Sequence, residues 1–142
     1  MTGGASVPSH ASAIDVADVV AAHGLGPHQA FVPLGMWFGW VLENQLQAAE
    51  LDPTIGQRFA RRESTGPTLF EELGGVLGPS LLGRHAAEFA DSYIGYAEGQ
   101  YFDDLEEWFP VPTMFHVFDT WENYEWTRIK LVARYSEWRS AL

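Results

Sequence analysis

Four carboxylates lie within five positions of the chain, at Asp103, Asp104, Glu106 and Glu107. Two carboxylates that share a pocket can hold different pKa values, so that one acts as a general acid and the other as a general base. The same run also fits a solvated acidic helix face or an acidic interaction surface, and spacing alone does not define a pocket. We favour the interaction surface, predict no catalytic residue and do not expect an enzyme.

A second group has the chemistry of metal ligands. His85, Glu88 and Asp91 would put one imidazole and two carboxylates on roughly one side of a helix, and His116 could join them. Such a set suits Zn, Mn or Fe. A di-metal site in a helical bundle repeats a Glu-x-x-His pair, and no such repeat occurs here. We therefore predict no metal and no cofactor, and we interpret His85 as a helix residue at the edge of the core.

Nucleophilic catalysis and phosphate binding have weaker signals. The chain has no Cys and no G-x-S-x-G motif, and Ser80 and Ser92 fit a helix cap and a surface position. The stretch GLGPHQ has Gly24 and Gly26 but no third glycine, so it does not match a phosphate-binding loop.

Net charge is the most informative property of the sequence. Nineteen acids and eight bases give −11, and the segment from Glu88 to Glu125 has ten acids without a Lys or Arg. Such a field repels nucleic acid and acidic membranes and attracts a basic protein. A small basic cluster, Arg58, Arg61 and Arg62, is expected to pair with the chain's own acids.

Trp108 differs from the other tryptophans because it lies among these acids, next to Phe109 and Pro110. An aromatic ring surrounded by acids is typical of an interface anchor, since Trp and Tyr are common in binding hot spots. Trp121 is instead expected in the core. The predicted partner-binding residues are Asp91, Glu98, Tyr101, Phe102, Asp103, Asp104, Glu106, Glu107 and Trp108.

The most strongly patterned element is a long helix from Phe118 to Trp138. Asp119 is a candidate N-cap, and Glu122 would complete a capping box. Spacings of three and four put six residues on one buried, largely aromatic stripe that Val132 widens: Trp121, Tyr124, Arg128, Leu131, Tyr135 and Trp138.

The second well-defined element is an almost wholly apolar run from Phe31 to Leu46. We predict a buried helix that starts near Pro33, in which Gly35 and Gly39 form a smooth strip for close helix packing. Five further segments complete the prediction: helices at 14–23, 53–62, 68–73 (capped by Thr68), 81–98 (capped by Ser80) and 101–109, with a short strand or tight loop at 113–118.

Together these patterns predict a mainly α protein, a single-domain bundle of five to seven helices, several of them short, with a long aromatic C-terminal helix. Residues 1–13 are expected to be a flexible tail and residues 14–142 the domain. The longest apolar run is shorter than the about 20 residues that span a bilayer, and no basic residue precedes an apolar segment at the N-terminus. A cytoplasmic location without membrane association is therefore expected.

Several segments together resemble a bacterial domain family of unknown function: GMWFGWVLENQL at 35–46, YFDD at 101–104, HVFDTWENY at 116–124 and RYSEW at 134–138. The likeness extends from about residue 30 onward, and DTWENY is its most specific part. Pro33-Leu34 departs from the His-containing pair that this family has before Gly35-Met36. The resemblance implies a small protein of the immunity type found beside secreted toxins, and it brings no catalytic residues.

Two functions from different classes follow. The favoured one is an acidic protein-binding inhibitor that neutralises a basic bacterial toxin by covering its active-site cleft, with no nucleic acid as partner. The alternative is a small-ligand or metal-binding enzyme whose pocket involves His116, Asp119 and Tyr124, where polar groups and aromatic rings are dense.

Overall fold

A computed structural model describes residues 16–95 and 100–142. Within these ranges the chain forms seven α-helices, which confirms the predicted mainly α fold with a long aromatic C-terminal helix. They are α1 (Ala17–Ala22), α2 (Val32–Glu43), α3 (Pro53–Ala60), α4 (Gly66–Glu72), α5 (Arg84–Tyr93), α6 (Gln100–Trp108) and α7 (Trp121–Ser140), with 3-10 helices at Pro27–Phe31 and Met114–His116. The predicted tail at 1–13 lies outside the described residues.

Helix α2 is the centre of the bundle, as the apolar run predicts. Every residue from Val32 to Leu42 is buried, and Pro33 lies in the first turn, where its missing N–H leaves no intrahelical bond unmade. Because α2 is apolar on all sides, it must be covered on all sides.

The glycine strip of α2 is the site of its closest contact, which confirms its predicted role. A Cβ on Gly35 would lie 2.3 Å from the Cα of Pro67, and a Cβ on Gly66 would lie 2.3 Å from the carbonyl oxygen of Gly35. The backbones of α2 and α4 therefore touch at a distance that only glycine permits.

The start of α4 differs from the prediction. We expected the helix at 68–73 with Thr68 as its cap, but Thr65 is the N-cap and its side chain accepts the N–H of Thr68 at 3.3 Å. Gly66 and Pro67 form the first turn, and Gly66 packs there against the backbone of Gly35 and Gly39.

Helix α5 is shorter than predicted and is not capped by Ser80. Leu81 and Leu82 are buried, and their backbone bonds to the turn after α2, where Ala48 N–H donates to Leu81 at 2.9 Å. The helix starts only after this pairing, at Arg84, and Gly95 turns the chain at φ +60° beyond its end.

Helix α7 begins at Trp121 with Thr120 as N-cap, whose side chain accepts the N–H of Asn123 at 3.1 Å. The predicted cap at Asp119 is therefore wrong by one residue. The predicted stripe does face the bundle, with Tyr124 and Leu131 buried, but Val132 is 46% exposed and does not widen it. Among the described residues, no helix combines the length and apolar character needed to cross a membrane.

Candidate functional site

Helix α6 carries the acidic run, and its inner side is fixed to the core. Tyr101 is fully buried, and its hydroxyl donates to the carbonyl oxygen of Pro33 on α2. Burial raises the pKa of Tyr101 well above its ordinary value, so the phenol stays neutral. Tyr101 therefore holds α6 against α2, and it is not available to contact a partner.

Asp104 is the second predicted surface residue that lies inside. It is 4% exposed and accepts hydrogen bonds from the Tyr93 hydroxyl and from both Nε and Nη2 of Arg134, at 3.0 and 3.2 Å for the two nitrogens. The hydrogen bond to Asp104 is the main reason that the pKa of Arg134 is raised. This pair links α5, α6 and α7, and it removes Asp104 from the predicted acidic surface.

The other predicted acids of α6 do face solvent. Asp103 and Glu107 are exposed, and Glu106 is exposed while accepting the backbone N–H of Met114 at 3.0 Å. Phe102 and Trp108 are half-buried. Asp91 is exposed on α5, and Glu98 lies outside the described residues.

Three large apolar side chains on the outer side of α7 were not among the predicted site residues. Trp126, Ile129 and Val132 are 48%, 58% and 46% exposed. Their spacing of three, shifted from the core stripe, is the signal in the sequence, and the prediction placed Val132 in the buried stripe instead. An exposed Trp and two β-branched apolar residues on one helix face are typical of an interaction site.

Trp108 joins the outer side of α7 to α6. Its carbonyl oxygen accepts a weak hydrogen bond of 3.4 Å from Nε1 of Trp126, and Nζ of Lys130 lies 4.7 Å from the ring centre of Trp126 and 5.7 Å from that of Trp108. A shallow groove of about 230 Å³ lies here, between Trp108, Ile129 and Lys130. The α6–α7 surface comprises Asp103, Glu106, Glu107, Trp108, Trp126, Ile129, Lys130 and Val132, so three acids outnumber one base.

His116, Asp119 and Tyr124, the residues of the alternative pocket, each bond to different partners and form no common site. Nδ1 of His116 lies 2.9 Å from the hydroxyl of Thr113, and the Tyr124 hydroxyl donates to Glu43 at 2.9 Å. Asp119 bonds to His28 and Thr65. Burial raises the pKa of Tyr124, which keeps that phenol neutral.

Asp119 belongs to a polar cluster that the sequence analysis missed. Nε2 of His28 lies 2.7 Å from Asp119, Nδ1 of His28 lies 2.6 Å from Glu71, and the Thr65 hydroxyl donates to Asp119 at 2.8 Å. Burial lowers the pKa of His28, but the hydrogen bonds and charges of both carboxylates outweigh it and raise that pKa. Both ring nitrogens are engaged, so this cluster joins elements and leaves no free nitrogen for a substrate.

The residues considered as metal ligands do not form a site. His85 is exposed, and Glu88 pairs with Arg84 at 3.3 Å. Over residues 16–95 and 100–142, no three His, Asp or Glu side chains are arranged to hold a metal ion.

The basic cluster pairs with the chain's own acids, as predicted. Arg58 makes two hydrogen bonds to Glu72, at 3.0 and 2.8 Å, and Arg62 bonds to Glu125 at 3.1 Å.

Comparison with known proteins identifies the family. Residues 15–117 match the family described as a domain of unknown function, DUF7832, and this match covers most of the chain. The match ends before the DTWENY segment, so that segment lies outside it. No curated protein and no solved structure matches the chain. The chain belongs to the DUF7832 family.

Proposed function

We propose that this member of the DUF7832 family is a protein-binding inhibitor whose α6–α7 surface docks on a basic partner, in the manner of an immunity protein that covers the active-site cleft of a toxin. One observation carries the proposal: exposed apolar side chains on α7 lie beside Trp108, at the end of the helix that carries the exposed acids. Trp126 and Ile129 are about half exposed, and Val132 on the same helix is 46% exposed.

The apolar part of the α6–α7 surface provides a driving force for binding. Removing apolar area from water stabilises a complex by roughly 25 cal/mol per Å², and tryptophan is among the residues that dominate binding energy. Trp126 contacts Trp108 and Lys130, which reduces the side-chain freedom that it loses when a partner covers it. An apolar centre with a charged rim is the usual anatomy of a non-obligate interface.

The charged part selects the kind of partner. Asp103 and Glu107 are exposed on α6, and the whole chain carries −11. A second copy of this chain would be repelled by the same field, whereas a basic protein would be attracted and steered towards the surface. Enzymes that act on anionic substrates have cationic clefts, and such a cleft is the complement of this acidic, apolar face.

The test starts from basic proteins retained from the lysate of the native host at low salt, identified by mass spectrometry and then purified. Binding kinetics are compared for the wild type, for Asp103→Asn/Glu106→Gln/Glu107→Gln and for Trp126→Ala/Ile129→Ser. The charge variant should slow association at low salt by about tenfold or more, while the apolar variant should speed dissociation by a similar factor. An inhibitor should also reduce the partner's own enzymatic activity.

A matched control removes the same number of charges elsewhere. Asp18→Asn/Glu50→Gln/Glu63→Gln changes three exposed acids on α1 and on the loops that flank α3, far from α6 in the chain. Equal loss of binding by this control and by the α6 variant would show that only net charge matters and would reject the α6–α7 surface. Unchanged binding of both surface variants would also reject it.

A further inference from the structure

A cleft of about 390 Å³ lies between the end of α2 and α3, on elements that the α6–α7 surface does not include. Its volume is within the range of small-ligand sites, about 300 to 1,000 Å³. We propose that this α2–α3 cleft binds a small neutral or cationic ligand that carries amide or amine N–H donors on an apolar body. The cleft is lined by Leu42, Glu43, Gln45, Gln47, Pro53, Gly56, Gln57, Phe59 and Ala60.

The lining combines an apolar floor with polar walls. Phe59 and Leu42 are 2% and 5% exposed and form apolar floor, while Gln45, Gln47 and Gln57 supply side-chain amides. Gly56 has no side chain, and this leaves the middle of the cleft open. A few polar groups above an apolar floor fix a ligand's orientation while the floor provides the affinity.

Gln47 is held rigidly and has an unused acceptor. Its backbone forms an isolated β-bridge with Leu82, and the adjacent N–H of Gly83 donates to Leu46 at 2.9 Å. Within the part of the chain that the structure describes, Oε1 of Gln47 is buried and has no hydrogen-bond partner. A buried acceptor without a partner destabilises the protein, and an N–H donor from a ligand would satisfy it once the side-chain amide turns towards the cleft.

Gln45 is held in a backbone conformation that favours glycine. Its φ is +56°, and it occupies the left-handed position of a Schellman motif that ends α2, in which the N–H of Leu46 donates to Val41 at 2.9 Å. Non-glycine residues in such positions concentrate at functional sites. Gln45 therefore presents an amide to the cleft where a glycine would fit the backbone more easily.

Arg62 also has a left-handed backbone, but its side chain makes contacts within the protein. Its φ is +60°, and its guanidinium lies 4.4 Å from the ring centre of Trp121 and bonds to Glu125. The side chain of Gln45 is exposed, and among residues 16–95 and 100–142 it makes no comparable contact with the protein. Its amide is therefore available to a ligand in the cleft.

Charge narrows the ligand class. Glu43 lines the cleft, and its carboxylate accepts from the Tyr124 hydroxyl with Arg62 at 3.7 Å, so it has acceptor capacity left. A carboxylate ligand would be repelled by Glu43 and by the net charge of −11. N–H donors of the ligand would bond to Glu43 and to the amide oxygens of the glutamines, and its apolar body would pack on Phe59.

The test uses two probes with similar bodies and opposite charge. L-Leucinamide carries an ammonium group and a primary amide, and N-acetyl-L-leucine carries a carboxylate. Titrated into the full chain labelled with ¹⁵N, leucinamide should shift the side-chain NH₂ signals of the three cleft glutamines saturably, and N-acetyl-leucine should bind at least about tenfold more weakly. Absence of saturable shifts with leucinamide, or equal binding of both probes, would overturn the proposal.

A filled cleft provides the structural control. Gly56→Leu should abolish leucinamide binding, and it should fold because an added Cβ meets only Nε2 of Gln47, at an ordinary 3.5 Å. Gly26→Leu is the matched control, since nothing lies within 4 Å of its added Cβ, and binding should be unchanged. Should Gly56→Leu fail to fold, Gln57→Ala replaces it and should weaken binding. Undiminished binding by a folded Gly56→Leu would place the site elsewhere.

Discussion

Asp103 and Asp104 are neighbours in the sequence and belong to opposite regions of the molecule. Asp104 lies in the inner region, defined as the buried contacts between the helices of the bundle, where Arg134 and Tyr93 bind its carboxylate. Asp103 lies on the α6–α7 surface, where it is exposed. Two adjacent residues of α6 therefore have different roles: Asp104 stabilises the fold, and Asp103 is exposed to a partner.

The two regions also treat apolar residues differently. In the inner region, Trp37, Phe38 and Trp40 are fully buried, and glycines let α2 and α4 touch. On the α6–α7 surface, Trp126 and Ile129 remain about half exposed. Changes inside should therefore act on the free energy of unfolding, whereas changes outside should act on binding.

The largest effect is expected for Gly66→Ala in the inner region. The added Cβ would lie 2.3 Å from the carbonyl oxygen of Gly35, which is backbone and cannot rotate away. We expect a loss of about 3 kcal/mol in the free energy of unfolding, although alanine favours a helix over glycine by about 1 kcal/mol. Urea unfolding followed by circular dichroism measures it.

The matched control for Gly66 is Gly26→Ala. Gly26 has φ −67° and open space around its added Cβ, so this change should leave stability unchanged or raise it by up to about 1 kcal/mol. A Gly66→Ala protein as stable as the wild type would show that α2 and α4 can separate at little cost, and the distinction between the two regions would fail there.

The next effect compares the two neighbouring acids directly. Asp104→Asn keeps the size of the side chain but removes the charge that binds Arg134, which should cost about 2 kcal/mol in the free energy of unfolding. Arg134 is 30% exposed and also bonds to Glu137, so water and that acid compensate part of the loss. Asp103→Asn should change stability by about 0.5 kcal/mol or less. Equal effects in chemical unfolding would contradict the assignment of the two acids to different regions.

Periodicity in the sequence was sufficient to predict the inner region in outline. The apolar run of α2 is recognisable because it is apolar on all sides. The stripe of α7 is recognisable because burial of one helix face imposes a fixed spacing. The burial of Asp104 was not predictable in this way. It depends on Arg134, thirty positions later, and no local pattern encodes such a pairing.

The choice of helix N-cap shows a second limit of prediction from the sequence. Asp119 and Thr120 are adjacent, and both have side chains that cap helices well. The choice is made by His28 and Thr65, which bind the carboxylate of Asp119 and leave Thr120 as the cap. Trp126 and Ile129 of the α6–α7 surface were missed for a different reason, since their spacing was visible but only the inner stripe was assigned, with Val132 wrongly included in it.

The smallest effect is expected at the edge of the inner region, where His28 lies between Glu71 and Asp119. The pKa of His28 in the folded protein is raised above its ordinary 6.5. Protonated His28 therefore stabilises the fold fully below pH 6.5, and this contribution is lost as pH rises through the folded-state pKa. Because the His28 side chain is 37% exposed, solvent screening limits the contribution to less than about 1 kcal/mol.

Urea unfolding at about pH 6 and about pH 8.5 separates His28 from the other histidines. The wild type should lose stability over this interval, and His28→Gln should lose less because its amide does not titrate. His85→Gln is the control: His85 is exposed on α5, so its variant should keep the slope of the wild type. Identical slopes for the wild type and His28→Gln would contradict the prediction, because a neutral imidazole has one N–H and cannot donate to both Glu71 and Asp119.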